Sequence, residues 1–253
     1  MTTAVVLTGR PGGTTARAVE VLAGLPPELR LIGGLAVLCR VGVPHRATVD
    51  LDALARGLDR YDDAVRSVAV SSTGGGQYVM AGRMELDVID VSPESAAALV
   101  DQLVAHGDPT LTDLELNAVA HTWAHDTATA MDVSVVSDET HEPLARARRR
   151  LVASPAGLGA MKATTVPLRA SSRPEKRASD LYDLGRLLAT AAGIDGLAAA
   201  PDVLRRAVGE RLVDWFVSPR GRDRTFRDVR RFDEAALDLD EVADIVAESG
   251  LTA

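Results

Sequence analysis

Two aspartates, placed one residue apart in an apolar segment, constrain this chain more than any other feature. The segment RATVDLDAL (46–54) alternates Val49 and Leu51 with Asp50 and Asp52, which is the period of a β-strand. Side chains at positions i and i+2 of a strand leave the same face, so the two carboxylates emerge side by side. Because two neighbouring carboxylates resist ionising together unless a cation is close, the segment predicts a divalent metal site on a strand.

Composition sets the class of protein. The chain has 253 residues, 46% of them apolar and 3% aromatic, which predicts globular cores of Ala, Val and Leu. The single cysteine, Cys39, excludes a disulfide within the chain and a Cys-rich zinc site. We expect no membrane span, because no charge-free apolar run approaches about 18 residues. A single cysteine fits a reducing, cytoplasmic setting, and the start of the sequence has no basic segment before a long apolar one, so we expect no secretory signal.

Charge is distributed unevenly along the chain. The net charge of −8 argues against indiscriminate binding of nucleic acid. Residues 50–115 contain 13 acidic and 4 basic residues, whereas residues 141–186 contain 10 basic and 4 acidic. Residues 205–231 contain 9 basic and 4 acidic. An acidic first half suits a metal ion and a basic second half suits phosphates, although each basic cluster alone also fits a solvated helical face.

Hydrophobic periodicity predicts an α+β fold with two lobes. Strand and helix patterns alternate up to about residue 140, with a hairpin in QYVMAG and RMELDVIDV. Beyond that point strand patterns nearly vanish, and HEPLARARRRLVA (141–153) is predicted to be the first of several helices. We therefore expect a mixed-sheet core lobe over 1–140 and a helical lobe over 141–253 that completes the active-site cleft.

A glycine pair precedes the two aspartates. Gly33 and Gly34 lie between a predicted strand and a predicted helix. Such a pair lets the backbone approach a ligand closely, and the helix start offers free N–H groups to an anion. A tight packing turn is the alternative interpretation.

A third carboxylate stands on another predicted strand. Asp87 lies in MELDVIDV (84–91) between two apolar residues, so it projects away from the core. Glu85 shares the face of Asp87, whereas Asp90 is on the other face, and both compete with it for a ligand role. Oxygens from adjacent strands suit Mg²⁺, and two such ions can assist an in-line displacement at phosphorus.

The order of these features resembles a known family. A Gly-Gly pair, R-x-T-x-D-h-D (h apolar), a later strand carboxylate, a helical lysine and D-L-Y-D-L are similar to the nucleotidyltransferase fold shared with DNA polymerase β. Within that fold the chain is most similar to the AbiEii/MenT toxins of bacterial toxin–antitoxin pairs, over roughly residues 30–190. The matching residues are Gly33, Gly34, Arg40, Arg46, Thr48, Asp50, Asp52, Asp87, Lys162, Asp180 and Asp183. Leu35 departs from the pattern, because many members have a small polar residue there that would touch phosphate.

The resemblance implies catalytic roles for five residues. Asp50 and Asp52 would hold the Mg²⁺ (or Mn²⁺) that is bound to a nucleoside triphosphate. Asp87 would complete a second metal site and favour deprotonation of the incoming hydroxyl. Lys162 would neutralise charge on the phosphates, and Asp180 would orient Lys162 or the nucleoside.

The nucleotide-binding residues implied by the resemblance are Gly33, Gly34, Arg46, Thr48 and Lys162. Asp183 lies about one turn after Asp180 on a predicted helix and is left as a solvated or helix-pairing residue. We favour Asp180 as the functional carboxylate of the two.

The function implied is that of a toxin that transfers a nucleoside monophosphate from a triphosphate to RNA. The family implies the 3′ end of tRNA as acceptor, release of pyrophosphate, a block of translation and a cognate antitoxin as partner. One alternative is transfer to a small molecule such as an aminoglycoside, or to a protein side chain. Another is a catalytically silent nucleotide-binding regulator. Retention of three carboxylates and Lys162 favours an active enzyme, because a silent fold has no reason to crowd like charges.

Thr48 is a predicted regulatory site. It lies two residues before Asp50 and therefore on the same strand face. Phosphorylation would add about −1.5 to −2 charges where the triphosphate is expected to bind, and would switch the enzyme off. A threonine chosen for its β-propensity is the alternative interpretation.

Other conspicuous side chains are assigned to packing. His121 and His125 have a zinc-like i, i+4 spacing, but the glutamate of a metalloprotease motif is missing. Trp123, Trp215 and Phe216 are expected in the core.

Overall fold

The computed structural model describes residues 2–42, 50–106, 110–169, 172–235 and 237–251. The chain is an α+β protein, as predicted. It forms two compact units, each built from two segments. The sheet unit comprises Met1–Pro93 and Ala128–Ala153, and the helical unit comprises Glu94–Thr127 and Ser154–Ala253.

The sheet unit contains eight strands and three α-helices in its described residues. Its strands are β1 (Thr3–Gly9), β2 (Arg30–Ile32), β3 (Asp50–Ala55), β4 (Ser71–Gly74), β5 (Gln77–Val79), β6 (Glu85–Asp90), β7 (Thr129–Ser137) and β8 (Pro143–Val152). Its α-helices are α1 (Thr14–Gly24), α2 (Gly33–Val41) and α3 (Asp59–Val68). A short 3₁₀ turn spans Ala81–Arg83.

The eight strands form one mixed sheet in the order β1-β7-β8-β2-β3-β6-β5-β4. The pairs β1–β7, β8–β2 and β3–β6 are parallel, and the other neighbours are antiparallel. The predicted hairpin is confirmed as β5–β6. The sheet brings β3 and β6 side by side, although 29 residues separate Ala55 from Glu85.

Apolar side chains are buried on both faces of this sheet at β2 and β3, with Leu31 and Ala53 on one face and Ile32 and Leu54 on the other. Helix α1 packs on β8 and β7, and helix α2 packs on β2 and β3. Buried residues of α1 are Ala16, Ala18, Val19 and Leu22. Strand β7 buries every second residue and leaves the alternate ones half-buried, which is the pattern of a sheet with one covered face.

Residues 143–152 form strand β8, and the predicted helix over 141–153 is wrong. Ala and Arg favour helices, and the alternation that would indicate a strand is broken by a β-bulge in β8, between Ala147 and Arg150. Pairing with β7 and β2 on both sides overrides the local propensity.

The helical unit contains eight α-helices in its described residues. These are α4 (Ala96–His106), α5 (Asp113–Asp126), α6 (Pro155–Arg169), α7 (Pro174–Leu188), α8 (Ala191–Ile194), α9 (Asp202–Leu212), α10 (Pro219–Val229) and α11 (Leu239–Glu248). Short 3₁₀ segments span Asp195–Ala199 and Arg230–Ala235, and a π-helical turn spans Val213–Val217.

The core of the helical unit is built around α6 and α7. Helix α6 packs against both α5 and α7. Trp123, Trp215 and Phe216 are buried, which confirms their assignment to the core. Helix α5 begins with a capping box in which the Thr112 hydroxyl accepts from the Glu115 amide, while the Glu115 carboxylate accepts from the Thr112 amide.

The compact units differ from the predicted lobes 1–140 and 141–253. Residues 94–127 pack with the helical unit, and residues 128–153 pack with the sheet unit because they form the β7–β8 hairpin. No helix in the described part of the chain is both long and apolar enough to cross a membrane.

Candidate functional site

Asp50 and Asp52 begin strand β3 and share one of its faces. Both are half-buried, whereas Leu51 and Ala53 between and beyond them are buried. This alternation confirms the predicted strand and the shared direction of the two carboxylates.

The neighbouring strand adds a third carboxylate to that face. In the parallel β3–β6 register, Asp52 is opposite Asp87 and Asp50 is opposite Glu85. Since opposed residues of paired strands point to the same side of a sheet, all four acidic side chains leave one face. Asp87 is exposed, while Leu86 and Val88 on either side of it are buried.

Asp90 has a structural role instead. Its Oδ1 accepts hydrogen bonds from the backbone N–H groups of Gly57 and Leu58, at 2.8 and 3.1 Å. These two bonds fix the turn that follows β3. Asp90 is thereby occupied with the backbone, which leaves Glu85 as the competitor of Asp87.

Position 33 requires a glycine, because a side chain there would collide with Asp52. Its φ is +69°, a left-handed value that favours glycine, and it is the first residue of α2. A Cβ atom at this position would lie 2.0 Å from Oδ2 of Asp52. The glycine therefore brings the start of a helix directly against a carboxylate of the D-x-D pair, and the predicted approach of the Gly-Gly pair to a ligand stays a prediction.

Leu35 and Cys39 of the same helix face the core. Leu35 is 1% exposed, so the residue that departs from the family pattern is a packing residue. Cys39 is also buried, and burial raises the pKa of its thiol to about 12, with Arg40 acting weakly in the opposite direction.

Arg40 ties the far end of α2 to the sheet. Its Nε donates to the carbonyl of Ala153 at 2.8 Å, and its guanidinium also donates to Thr129 Oγ1 and the carbonyl of Val152. Burial lowers the pKa of Arg40, and Cys39 acts weakly in the opposite direction. This arginine fixes the helix whose first residue touches Asp52, a positioning role that its place in the sequence pattern did not reveal.

The carboxylate face fits a divalent ion that is completed by a ligand. Within the described residues, no three His, Cys, Asp or Glu side chains are grouped so that they alone could hold a metal ion. Mg²⁺ commonly binds through one or two carboxylates, with water and substrate phosphates supplying the other oxygens. Asp50 and Asp52 on one face, with a glycine contact that leaves no room for a Cβ beside Asp52, match that requirement.

Lys162 lies in a buried ionic network of the helical unit. Its Nζ is 2.6 Å from Oδ1 of Asp180 and 2.8 Å from Oδ2 of Asp183, and its side chain is 12% exposed. Burial alone would lower the pKa of Lys162, but the carboxylates of Asp183 and Asp180 outweigh burial and hold the pKa above its ordinary value. Lys162 is therefore protonated throughout the physiological pH range.

Both aspartates of the D-L-Y-D-L segment hold this lysine. Asp183 is 0% exposed, so the interpretation of a solvated residue is wrong, and its pairing with α6 is confirmed. Asp180 bridges two cations, because its second oxygen accepts from Arg169. The pairing of Arg169 with Asp180 was not predicted from the sequence, because a basic residue near the C-terminal end of a helix is ordinarily explained by its interaction with the helix dipole.

The two histidines of α5 do not form a metal pair. Nδ1 of His121 is 2.7 Å from the carbonyl of Asn117, and burial is the main cause of its lowered pKa, with the charge of Arg169 contributing. His125 is buried, with Nδ1 3.5 Å from Asp126. Asn117 itself donates to Thr164 and Thr165 of α6. The His121 contact therefore lies within α5, and the Asn117 contacts join α5 to α6.

Arg46 and Thr48 lie outside the described residues. Their predicted roles in nucleotide binding, and the predicted phosphorylation of Thr48, stay predictions.

The basic cluster at 146–150 is divided between two environments. Arg146, Arg148 and Arg149 are exposed, but Arg150 is 4% exposed and donates to the carbonyls of Leu25 and Pro26, both at 2.9 Å. Burial lowers the pKa of Arg150. The cluster therefore combines a structural arginine with three that face solvent.

A sheet that presents a D-x-D strand against a glycine-started helix, with a third carboxylate on the parallel neighbour, is the arrangement expected of a nucleotidyltransferase. The family model described as "Nucleotidyl transferase AbiEii toxin, Type IV TA system" matches residues 17–248, and the chain belongs to this family. The match extends beyond the predicted range of 30–190 on both sides. No curated protein and no solved structure matches the chain.

Family membership gives the class of activity. The chain is a nucleotidyltransferase and the toxin component of a toxin–antitoxin system, so an antitoxin is its expected partner.

Proposed function

We propose that this toxin transfers a nucleoside monophosphate from a triphosphate to RNA, with the 3′ end of tRNA as acceptor, and thereby blocks translation. The observation that carries the proposal is the register of β3 and β6. It aligns Asp52 with Asp87 and keeps Asp50 on the same face, next to the helix start at Gly33. A face that gathers carboxylates beside a helix start is suited to a cation and a polyphosphate together.

Asp50 and Asp52 would hold Mg²⁺ or Mn²⁺ at this face. When bound, the ion neutralises the charge of the triphosphate and orients it for in-line attack. The N–H groups at Gly33 and Gly34 are the first of α2, so they are available to a phosphate oxygen, and the helix dipole favours the anion.

The reaction has a simple balance. The acceptor hydroxyl attacks the α-phosphorus, a new O–P bond forms, and the bond to the bridging oxygen breaks so that pyrophosphate leaves. Asp87 is exposed on the same face and is proposed to favour loss of the hydroxyl proton.

Lys162 is proposed to neutralise charge on the phosphates. A lysine can do so only while it is protonated, and its contacts with Asp180 and Asp183 keep it protonated and hold its Nζ in one place. Asp180 is proposed to orient this lysine.

An RNA acceptor is favoured over a small molecule by the exposed arginines of the sheet unit. Arg146, Arg148 and Arg149 make a local excess of positive charge on a chain whose net charge is −8. A polyanion is attracted to such a patch, whereas an aminoglycoside is a cation and is repelled.

The test is transfer of label. The chain is incubated with each α-labelled nucleoside triphosphate, Mg²⁺ and total tRNA, and the RNA is separated on a denaturing gel. We expect label from one triphosphate in tRNA, no label with EDTA, and none with Asp50→Ala.

A parallel reaction contains an aminoglycoside in place of RNA. Label in the small molecule or in protein, with none in RNA, would contradict the proposed acceptor. Binding of labelled triphosphate without any transfer would instead support the silent regulator.

A further inference from the structure

We infer that the RNA acceptor lies along strand β8, on Arg146, Arg148 and Arg149, which we term the β8 arginine row. The inference rests on the proposed function, since it names the surface that would guide the acceptor towards Asp52. It concerns the sheet unit alone.

A β-bulge displays two arginines of this row next to each other. Met131 pairs with Arg150 and Val133 pairs with Ala147, so Asp132 alone is opposite both Arg148 and Arg149. Two residues opposite one define a bulge. Arg149 adopts a φ of +49°, and its backbone N–H donates to Oδ1 of Asp132 at 2.7 Å. The bulge breaks the alternation of the strand, so that both arginines are exposed while their flanking residues are buried.

The covered face of the sheet can be followed from β8 to β3. Leu31 of β2 is opposite Val152 of β8 and opposite Ala53 of β3. These three side chains therefore share one face, and all three are buried. Arg150 lies two residues before Val152, so its buried side chain belongs to the same covered face.

The arginine row lies on the opposite face, together with the carboxylates. Asp52 is adjacent to Ala53 on its strand and so points away from the covered face. Arg146 and Arg148 flank Ala147, which is buried opposite Val133, and they point away from the covered face as well. The exposed arginines and the proposed reaction site thus share one side of one sheet, on which Ile32 and Leu54 of β2 and β3 are buried.

The distance between them suits a short stretch of nucleic acid. Asp52 is two strands away from β8, and Arg148 lies about four positions along the strand from the level of Asp52, once the bulge is discounted. A strand spacing of about 4.8 Å and a rise of about 3.3 Å per residue give roughly 16 Å between the two backbone positions. A stacked strand has a phosphate every 3.4 Å or so, so about five nucleotides span this distance.

Charge also favours a phosphate backbone as occupant. The row has three arginines, and Asp132 is the carboxylate that contacts it. Asp132 lies 3.6 Å from Arg146 and accepts a hydrogen bond from the backbone N–H of Arg149. The row therefore keeps an excess of positive charge on a strand face, and arginine binds phosphate in a planar, bidentate manner.

The experiment measures RNA binding against salt concentration, by fluorescence anisotropy without triphosphate. The variant is Arg146→Ala with Arg148→Ala, which leaves the bulge residue Arg149 in place. For single-stranded RNA longer than about eight nucleotides, we expect the slope of log K against log salt to fall by about 1.4, which is roughly 0.7 for each lost phosphate contact.

The matched control is Arg10→Ala with Arg66→Ala. These arginines are also exposed and paired with aspartates, Asp138 and Asp62, and their loss changes the net charge by the same amount. We expect the control to keep the wild-type slope. An unchanged slope in the row variant, or an equal fall in the control, would overturn the inference.

Failure of this inference is distinguishable from failure of the proposed function. If wild type transfers nucleotide to RNA while the row variant binds RNA normally, only the arginine row is refuted. If RNA binds through the row but no nucleoside monophosphate is ever transferred to it, the row stands as an RNA surface and the proposed function is refuted. If wild type binds no RNA of any length, both are refuted.

Discussion

Charged side chains gather in two places in this chain, and the two groups differ in sign and in burial. On the sheet face, Asp50, Asp52 and Asp87 are carboxylates that are half-buried or exposed. Around Lys162 in the helical unit, two cations alternate with two carboxylates, and the carboxylates are almost completely buried. Like charges that remain accessible are suited to a ligand of opposite sign, whereas opposite charges that are buried satisfy one another.

The difference separates two kinds of functional residue. The carboxylate face carries the proposed metal site, so we expect its substitution to affect activity more than folding. The Lys162 network is held together by buried opposite charges, so its substitution should affect folding as well as the proposed contact with the phosphates.

The largest effect is expected for the carboxylate face. Asp52→Asn keeps the shape of the side chain but removes the charge that would hold the metal ion, which is worth several kcal/mol in the transition state. We expect the rate of nucleotide transfer to fall roughly a thousandfold, which corresponds to about 4 kcal/mol, while the unfolding midpoint is retained or raised. Single-turnover transfer to tRNA and a urea titration measure the two quantities.

Glu85→Gln is the control for that substitution. Glu85 is opposite Asp50 on the same face and is exposed, but the proposed reaction gives it no role. If Glu85→Gln lowers the rate of transfer as much as Asp52→Asn does, the total negative charge of the face matters, and the D-x-D pair has no special role.

For Asp183 we expect the larger effect on stability and not on activity. Asp183→Ala leaves Lys162 in a buried position with one partner fewer, and breaking a buried ion pair costs about 3–5 kcal/mol. We expect the free energy of unfolding to fall by about that amount in a urea titration. The surface pair Arg205–Asp202 gives a matched control, because Asp202 is 87% exposed and Asp202→Ala should cost less than about 1 kcal/mol. If Asp183→Ala and Asp202→Ala lower the free energy of unfolding equally, the Lys162 network contributes no more to stability than a surface ion pair.

The parts predictable from the sequence are those in which local pattern and tertiary environment agree. Alternation in 49–52 predicted that both aspartates leave one strand face, and the glycine pair marked the turn at which Gly33 adopts a positive φ against Asp52. Both depend on residues near one another in the sequence, where a period of two or a positive φ leaves a direct trace.

Two features depended on partners that are distant in the sequence. Strand β8 has helix-forming residues and a bulge that breaks its alternation, and its neighbours β7 and β2 determine its conformation. Arg150 belongs to a basic run, yet it is buried because the carbonyls of Leu25 and Pro26 accept from it across 125 and 124 residues. A charge run by itself does not say which of its members face solvent.

A smaller and pH-dependent effect is expected for Lys162. Its pKa is raised in the folded chain, so its contribution to stability is fully present below the unfolded value of about 10.4 and is lost as the pH rises through the higher folded value. We expect the difference in unfolding free energy between wild type and Lys162→Met to be constant from about pH 7 to pH 10 and to shrink above that range. A difference that grows above pH 10 would contradict the ionic network.

The smallest effect concerns Cys39, which reports on the carboxylate face without any measurement of activity. Its thiol is buried on α2, the helix that begins against Asp52, and burial raises its pKa to about 12. A thiol reagent at about pH 8 should therefore react only when α2 opens. If Mg²⁺ and a triphosphate bind at Asp50 and Asp52, they should slow the labelling about tenfold at ten times their Kd, since binding stabilises the closed form by about 1.4 kcal/mol. Asp52→Asn should abolish the slowing, and a wild-type labelling rate that is indifferent to the ligands would place the metal and triphosphate away from this face.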